Sequence, residues 1–550
     1  MTNKEIAGIL KVAAQLGDLH DENPFKVKAL SGAAFQIERM ESELISLDQS
    51  TIESVQGIGK SIAQKIIQIM DRGSFDDLDL WIQKTPAGVL QMLKLKGIGA
   101  KKVKALWQEL GIESIGELLY ACKENRLVTL KGFGEKTQNQ IIQSIQFLEQ
   151  NQGKMLYADA EAAFELLQEW IDNTANAALI ASGEFRRQLE VLDEITCIVR
   201  GDFDLTLKQI EQHPEISAVH YDKHTIDFVF AGRFQFRLHK EDPEFSAYQL
   251  AITTGPFAFN EHFKIKQQKA ESEEKLYQQQ SLPYVLPELR DLNPDLIEKI
   301  ENDALVKLTD FKGILHCHSK YSDGANTLKE MADACKEMGL EYFGICDHSR
   351  SAQYAGGLHI DRVIEQHCEI DLLNQQYGDG FKVFKGIESD ILNDGSLDYP
   401  DEVLKQFDFV VASVHSNLKM TEEKAMSRLI KAIENPFTTI LGHLTGRLLL
   451  SRNGYPVDHH KIIDACAANN VTIELNAHPF RLDIDWRWIP YCMDKGVKIA
   501  INPDAHEIEG LKDIKYGVLV ARKGGLNKNF LLNSMNKTEI GDFFQKKKSS

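Results

Sequence analysis

Nine side chains that can bind metal ions follow short apolar runs in the C-terminal half of this chain. They are six histidines and three carboxylates: His316, His318, Asp323, His348, Glu388, His415, His443, Asp504 and His506. Short apolar runs that alternate with helical segments predict buried parallel strands. Because chemistry in a closed α/β barrel collects at the carboxyl ends of the strands, we expect these nine side chains to converge.

The types of these ligands indicate which ions they would bind. Imidazole combined with carboxylate favours Zn, Mn or Fe, whereas Ca or Mg alone prefers oxygen ligands. Nine ligands exceed the four of a tetrahedral site, so we expect two or three divalent ions, with Mg also a candidate. Paired ions bind the attacking and leaving oxygens of a phosphate ester and supply hydroxide at neutral pH. The pattern predicts phosphoester hydrolysis, with Glu388, Asp504 and His348 as catalytic candidates and the two carboxylates bridging the ions.

The motifs that carry these ligands also resemble a known family. The stretches His-Cys-His at 316–318, Cys-Asp-His at 346–348, Gly-Ile-Glu at 386–388 and Asp-Ala-His at 504–506 resemble the polymerase and histidinol phosphatase (PHP) domain. This resemblance implies a distorted seven-stranded β/α barrel and a trinuclear metal centre, with all nine ligand positions filled. His478 is a further candidate substrate contact. Arg447 could contact a phosphate or close a loop through a salt bridge.

Composition limits the broad class of the protein. A chain of 550 residues exceeds a single hydrophobic core and predicts several domains. No apolar run reaches the roughly 18–20 residues that cross a membrane, and the N-terminus lacks the apolar core of a signal peptide. The eight cysteines are scattered and form no Cys-x-x-Cys pair, so they suggest neither a zinc finger nor a disulfide framework. We expect a cytoplasmic protein without membrane contact.

The net charge of −18 argues against a uniformly basic nucleic-acid binder. The charge is unevenly distributed, however, because residues 1–150 contain 18 Lys and Arg against 19 Asp and Glu. DNA binding by this nearly neutral segment would depend on backbone amides and a few lysines, such as Lys26 and Lys60.

Three Gly-apolar-Gly segments, about 40 and 35 residues apart, precede predicted helices in the N-terminal third. Their glycines are Gly57 and Gly59, Gly97 and Gly99, and Gly132 and Gly134. Two such glycines permit a tight turn whose N–H groups bind a phosphate at a helix N-terminus without reading the bases. One such turn could be an ordinary helix cap, but three in register resemble helix-hairpin-helix motifs.

The first of these segments resembles part of the lyase domain of family X DNA polymerases. The matching stretches are 23–28 and 57–66. In that family the last lysine of the second stretch can form a Schiff base with a deoxyribose phosphate, and here this position is Lys65. The alternative is a solvated lysine that contacts phosphate only.

A degenerate palm domain is the next resemblance. Gly-Glu-Phe-Arg-Arg at 183–187 resembles the family X palm motif, and by this resemblance Arg186 and Arg187 bind a DNA phosphate; the alternative is plain surface charge. The three catalytic aspartate positions of that family correspond here to Glu194, Thr196 and Gln235. Two-metal phosphoryl transfer needs carboxylates to hold both ions, so we expect a retained fold with an inactive polymerase centre.

The order of these segments resembles that of bacterial PolX-type proteins. We predict a multidomain protein with an α-helical helix-hairpin-helix N-terminal region, an α+β palm- and thumb-like domain and a C-terminal α/β distorted (β/α)7 PHP barrel. The expected parts are a lyase-like domain at 1–88, a fingers-like domain at 89–150, the palm- and thumb-like domain at 151–265, a linker at 266–305 and the PHP domain at 306–545.

The leading hypothesis is a DNA-repair enzyme with metal-dependent 3′–5′ exonuclease or 3′-end-processing activity. Its expected partner is gapped, nicked or 3′-recessed duplex DNA, bound without sequence preference by a monomer. The second hypothesis is an active gap-filling DNA polymerase that also carries the PHP exonuclease. The third is a small-molecule phosphatase. The fourth is a non-enzymatic DNA scaffold, which nine ligands disfavour because a structural zinc site closes with four.

Overall fold

The computed structural model describes residues 1–550 except 41, 56, 96, 124–126, 128–131, 152 and 550. Contacts divide the chain into two compact units, Met1–Gln152 and Gly153–Ser550. The spacer residues Gln56, Lys96, Leu130 and Lys131 of the glycine motifs lie outside the described residues. Within the described part, no helix is both long and apolar enough to span a membrane.

The first unit is helical and has its own apolar core. Its first helix begins with a capping box, in which the Thr2 side chain accepts from the Glu5 N–H and Glu5 accepts in return from the Thr2 N–H. The described residues form nine α-helices: α1 Asn3–Leu19, α2 Pro24–Ile37, α3 Gln49–Ser54, α4 Lys60–Arg72, α5 Asp76–Lys84, α6 Ala87–Met92, α7 Ala100–Leu110, α8 Ile115–Lys123 and α9 Glu135–Asn151.

The second unit begins with an α+β region. A five-stranded sheet has the order β2-β4-β7-β6-β5, in which only the β4–β7 pair is parallel. Two shorter strands, β1 and β3, pair separately. The elements are β1 Met155–Leu156, α10 Tyr157–Ala175, β2 Ala177–Ala181, α11 Gly183–Arg186, β3 Val191–Leu192, β4 Ile195–Gly201, α12 Phe203–Gln212, β5 Ile216–Tyr221, β6 Thr225–Phe230, β7 Phe234–Lys240, α13 Ser246–Thr254 and α14 Phe257–Phe263.

The segment expected to be a linker packs against the rest of this unit. It contains the short helices α15 (Glu273–Gln279) and α16 (Pro294–Ile297), and the side chains of Leu276 and Tyr277 are fully buried. Arg290 is also buried, and its guanidinium lies 2.7 Å from the Glu273 carboxylate. The segment is therefore an ordered connector, where the Pro spacing and mixed charge predict an extended and partly ordered one.

The last part of the unit is a parallel barrel. Its strands are buried along almost their whole length, as the continuous apolar runs predict: β8 Gly313–Ile314, β9 Tyr342–Ile345, β10 Lys382–Asp390, β11 Phe409–Ser413, β12 Ile440–Leu441, β13 Thr472–Asn476 and β14 Ile499–Asn502. Its helices are α17 Leu328–Glu337, α18 Ile360–Tyr377, α19 Asp401–Leu404, α20 Glu422–Ile433, α21 His459–Ala468, α22 Ile489–Asp494, α23 Ile514–Lys523 and α24 Lys537–Ser549.

The seven strands of the described barrel follow chain order from β8 to β14, and all six pairings are parallel. The two edges meet where Cys317 bridges Ala505, and the Leu315 N–H donates to the Asn502 side chain over 3.1 Å. The sheet is thus nearly closed into a barrel. The predicted multidomain fold, helical at the N-terminus and barrel-forming at the C-terminus, is confirmed.

Candidate functional site

All nine predicted ligands lie at the carboxyl edge of the barrel. Seven belong to strand ends or the residues just after them, while Asp323 and His506 lie in the adjoining loops. Most are buried, whereas Asp323 and His506 remain partly exposed. Asp504 adopts a left-handed backbone conformation, with φ of 54°, and its N–H donates to the His316 carbonyl. Such strain in a non-glycine residue is typical of functional sites.

The ligand atoms form three overlapping groups whose members lie within 4.8 Å of one another. The groups are His318, Asp323, His348 and His506; His316, His318 and Asp504; and His348, Glu388 and His415. His318 and His348 each belong to two of them. Shared ligands of this kind are what a cluster of neighbouring ions requires.

Glu388 lies at the centre of the cluster. Its Oε1 is 3.1 Å from Nε2 of both His415 and His443 and 3.3 Å from His316 Nε2. Its Oε2 is 2.9 Å from His348 Nδ1 and 3.7 Å from His318 Nε2. Both carboxylate oxygens therefore face imidazoles, an arrangement that would allow Glu388 to bridge ions.

Burial and neighbouring charges act against each other on the acidic ligands. Burial by itself raises the pKa of Glu388, but His415, His316 and His348 lower that pKa well below its usual value. The pKa of Asp504 is likewise lowered, because His316 and His318 outweigh the effect of burial. Both groups are therefore held as carboxylates, the form that binds cations.

Burial and neighbouring charges shift the pKa values of two histidines of the cluster in opposite directions. Burial, together with the neighbouring imidazoles of His506 and His348, lowers the pKa of His318 to about 3. Burial also disfavours charge on His316, yet the carboxylates of Glu474, Asp504 and Glu388 raise its pKa well above the usual value. The cluster of carboxylates therefore attracts positive charge into this site.

Two carboxylates that sequence reasoning missed orient the histidines. Glu474 Oε1 lies 2.7 Å from His316 Nδ1, and its Oε2 accepts from the His443 N–H over 2.9 Å. Asp390 Oδ1 lies 2.5 Å from His415 Nδ1. Such partners fix the ring orientation of metal-binding histidines. A signal was present for Glu474, because this charged residue lies between the apolar Ile473 and Leu475 in the middle of the buried strand β13.

The buried polar atoms of the cluster fit metal ions. Among the described residues, His316 Nε2, His318 Nδ1 and Glu388 Oε2 are buried without a hydrogen-bond partner. Buried polar atoms are otherwise almost always hydrogen-bonded, so these atoms need a ligand. Nitrogen and carboxylate donors arranged in shared groups match divalent ions of the Mn, Fe and Zn type.

Arg447 does not point at the cluster. Its Nη1 donates to Asp485 over 2.6 Å, its Nε donates to the Arg481 carbonyl over 2.9 Å, and its Nη2 donates to the Leu482 carbonyl. Of the two roles that the sequence left open, this geometry corresponds to the loop-closing salt bridge. His478 is closer to the site, since its backbone N–H donates to Asn476 over 3.1 Å and the Asn476 side chain donates to Asp504 over 3.0 Å.

The three glycine turns share one geometry. The first glycine of each turn has a positive φ: 87° for Gly57, 88° for Gly97 and 91° for Gly132. Only glycine adopts this conformation readily. The second glycine is the N-cap of α4 at Gly59 and of α7 at Gly99, and Gly134 immediately precedes α9.

All six glycines of these turns are exposed, and the apolar residue between each pair is buried, as Ile58, Ile98 and Phe133 show. The exposed helix N-termini can therefore accept a phosphate. Lys60, the first residue of α4, and Lys26 are exposed as well.

Lys65 lies within the first unit on α4 and is mostly covered. Its ammonium donates to the Asp77 carboxylate and lies 4.6 Å over the ring of Phe75. The side chain retains 20% exposure. Attack on a sugar aldehyde would require this amine to leave its ion pair.

Arg186 and Arg187 are engaged inside the second unit. Arg186 donates to Glu273 over 2.7 Å and to Thr254 over 2.8 Å. Arg187 is 7% exposed and donates to both oxygens of Asp291 over 3.1 Å. Both guanidiniums are thus paired with carboxylates of the same unit, and their contact with a DNA phosphate stays a prediction. Both arginines attach the palm-like region to the connector.

The palm-like region also lacks a cluster of free carboxylates, among its described residues, where its family holds metals. Arg237, which lies opposite Thr196 in the sheet, donates to Asp227 over 2.8 Å and to Glu194 over 3.3 Å. Thr196 also donates to Glu194, over 3.2 Å. A cation of the protein itself therefore neutralises the carboxylates of this region.

A parallel seven-stranded barrel with imidazoles and carboxylates at its strand ends defines the class of PHP domains. The PHP domain family model matches residues 315–478. In the first unit, a helix-hairpin-helix domain matches residues 1–75 and a SAM-like helix-hairpin-helix tandem matches residues 89–146.

The whole chain is similar to the DNA polymerase/3′-5′ exonuclease PolX of Bacillus subtilis, with 31% identity over 99% of this chain and all of that protein. The chain therefore belongs to the PolX family. Two probable phosphatases, of Acetivibrio thermocellus and Caldicellulosiruptor saccharolyticus, are each 30% identical over 35% of this chain and 78% of their own length.

Proposed function

We propose that this protein is a DNA-repair enzyme that removes nucleotides from 3′ ends, as a 3′–5′ exonuclease or 3′-end-processing phosphodiesterase. The observation that carries the proposal is the convergence of the nine ligands: eight of them form three overlapping groups, and the ninth, His443, lies 3.1 Å from Glu388. The name of the Bacillus subtilis relative, which includes 3′-5′ exonuclease, supports the same activity. Gapped or nicked duplex DNA is the proposed substrate, and the enzyme is proposed to be a cytoplasmic monomer.

The nine residues are proposed to hold two or three ions of the Mn or Zn type, with Fe and Mg as further candidates. When bound, such ions activate water and stabilise the charge of the phosphate. Glu388, Asp504 and His348 would be among the residues that hold these ions, and His348 belongs to two of the three ligand groups. Glu474 and Asp390 would keep the imidazoles of His316 and His415 in place.

The glycine turns are proposed to hold the duplex. Exposed N–H groups at the starts of α4, α7 and α9 would bind backbone phosphates, and Lys60 would add a charge contact. Binding of this kind is independent of sequence, as repair of arbitrary gaps requires. Lys65 is proposed to add positive charge for phosphate binding and not to act as a lyase nucleophile, since Schiff-base formation would require the amine to leave its contacts with Asp77 and Phe75.

The polymerase centre is proposed to be inactive. Two-metal nucleotide transfer needs carboxylates that are free to bind ions. Here Glu194 pairs with Arg237, and the second aspartate position of the family is Thr196, which has no carboxylate. Gap-filling synthesis is the second candidate function, and the word polymerase in the name of the Bacillus subtilis relative favours it.

A gel assay on 3′-recessed and gapped DNA with Mn, with and without deoxynucleotides, tests both candidates. The proposal predicts shortening of the primer under both conditions. Lengthening with deoxynucleotides would establish the polymerase instead. If the protein leaves all DNA ends intact but hydrolyses a simple monoester such as p-nitrophenyl phosphate, it is a small-molecule phosphatase.

A further inference from the structure

The segment 478–481 follows strand β13 and borders the candidate metal cluster. Strand β13 lies between β12 and β14, whose ends carry His443 and Asp504. The segment is tied to the cluster through Asn476, which donates to Asp504 over 3.0 Å and accepts from the His478 N–H over 3.1 Å. Its side chains therefore lie beside the place where a substrate would meet the ions.

Arg481 has unused donors within this segment. Its side chain is 23% exposed, and its Nε lies 3.7 Å from Asp504 Oδ2. Among the described residues, its guanidinium makes no hydrogen bond, although it carries five N–H donors. Because the side chain is partly exposed, these donors are accessible to an anion that enters the edge of the cluster. Bidentate binding of phosphate is the interaction for which a guanidinium is best suited.

Arg447 holds this residue in position. It donates to the backbone carbonyls of Arg481 and Leu482, and Asp485 fixes its other end. The sequence suggested Arg447 as a phosphate contact. In the structure, Arg447 supports the backbone of Arg481, whose guanidinium lies beside the cluster. Arg447 is therefore a positioning residue.

Phe480 presents an aromatic ring at the same edge. Its side chain is 50% exposed, while its backbone is fixed at both ends. The Phe480 N–H donates to His478 Nδ1 over 3.2 Å, and its carbonyl accepts from Leu449 over 2.6 Å. An exposed ring on a fixed backbone is a platform on which an unpaired base can stack.

We infer that residues 478–481 form a nucleotide subsite for an unpaired 3′-terminal nucleotide, with its phosphate on Arg481 and its base on Phe480. This inference rests on the proposed function and names its substrate class. The subsite would favour frayed or single-stranded ends, because a base within a duplex cannot reach the ring. It also distinguishes a nucleotide from a phosphate ester that lacks a base.

The base contact is tested with single-stranded oligonucleotides that end in thymidine or in an abasic tetrahydrofuran. Stacking is worth about 1–3 kcal/mol per base, so wild type should show roughly 5- to 160-fold higher kcat/KM on the thymidine end. Phe480→Ala should reduce that ratio to about one without changing the abasic rate, and Phe480→Trp should preserve it. Leu372→Ala, which removes an apolar side chain with 58% exposure from α18, is the matched control.

The phosphate contact is tested by calorimetric binding of thymidine 5′-monophosphate to the metal-loaded full chain. Arg481→Gln should weaken binding about tenfold or more and raise KM, while Arg481→Lys should restore only part of the affinity because lysine lacks the planar fork. Unchanged melting temperatures and metal content would establish that these variants are folded and loaded.

The outcomes separate this inference from the function on which it rests. If wild type releases no nucleotide from any end, the proposed nuclease fails. If wild type degrades both ends at equal rates, or Phe480→Ala retains the preference, the base contact is refuted while the nuclease stands. Unaltered monophosphate affinity in Arg481→Gln would refute the phosphate contact.

Discussion

The barrel edge and the palm-like sheet both place carboxylates together, yet they surround them differently. Among the described residues, the ion pairs of Glu388 are all with histidines, whose nitrogens can bind metal themselves. In the palm-like sheet, Glu194 and Asp227 share the guanidinium of Arg237. The hydrogen bond with Asp227 raises the pKa of Arg237, so this cation is permanent.

The difference shows why acidic residues alone do not define a metal site. An imidazole can exchange its proton for an ion, whereas a guanidinium stays charged and repels one. The barrel edge is thus suited to divalent ions, whereas in the palm-like sheet Arg237 already pairs with the carboxylates of Glu194 and Asp227. The comparison can be tested at each site.

The double change His316→Ala with His318→Ala should have the largest effect. It removes ligands from two of the three groups, so exonuclease activity should fall by about a thousandfold or more, given that metal ions supply several kcal/mol to such reactions. Nucleotide release from a labelled 3′ end and metal content measured by mass spectrometry are the readouts. Full activity in this variant would end the assignment of the barrel as the nuclease.

Glu474→Gln should have the next largest effect. It keeps the size of the side chain but weakens the contact with His316 Nδ1, and loss of such a supporting carboxylate costs about 10- to 100-fold in metal affinity or activity. Titration with Mn followed by activity measures the affinity. Asp390→Asn weakens the equivalent contact with His415 Nδ1 and tests the second supporting carboxylate. If both variants bind Mn with wild-type affinity, the supporting role is wrong.

Glu194→Ala should leave exonuclease activity within about twofold of wild type, because surface or partly buried changes away from a site have small effects. Neither wild type nor the Glu194→Ala variant should extend a primer. Extension that survives the substitution would show that Glu194 was assigned the wrong position, and extension lost on substitution would show that the palm is active.

Lys60→Ala should have the smallest effect. Loss of one phosphate contact should weaken binding of gapped DNA similarly for all sequences and reduce the slope of log affinity against log salt by about one. Fluorescence anisotropy over a salt series measures both quantities. Lys11→Ala, which removes a lysine that pairs with Glu38 on the same unit, is a suitable control. An unchanged salt slope would remove Lys60 from the DNA contact.

Much of the candidate site followed from the chain alone. The Gly-apolar-Gly segments predicted turns that the structure shows with positive φ at Gly57, Gly97 and Gly132, because that requirement is local. The supporting residue Glu474 and the free donors of Arg481 could not be predicted in the same way. Their roles depend on partners 158 residues away in sequence for Glu474 and on a loop that Arg447 shapes.

The sequence by itself determined the types of the ligands and their shared edge, since parallel strands place their carboxyl ends together whatever the details of packing. Only the tertiary structure decided which arginine faces the ions. Arg186, Arg187 and Arg447 are paired with carboxylates distant in sequence, and Arg481 is left with donors to offer. Charge pairing between distant segments is a property of the packed chain, and residue spacing does not encode it.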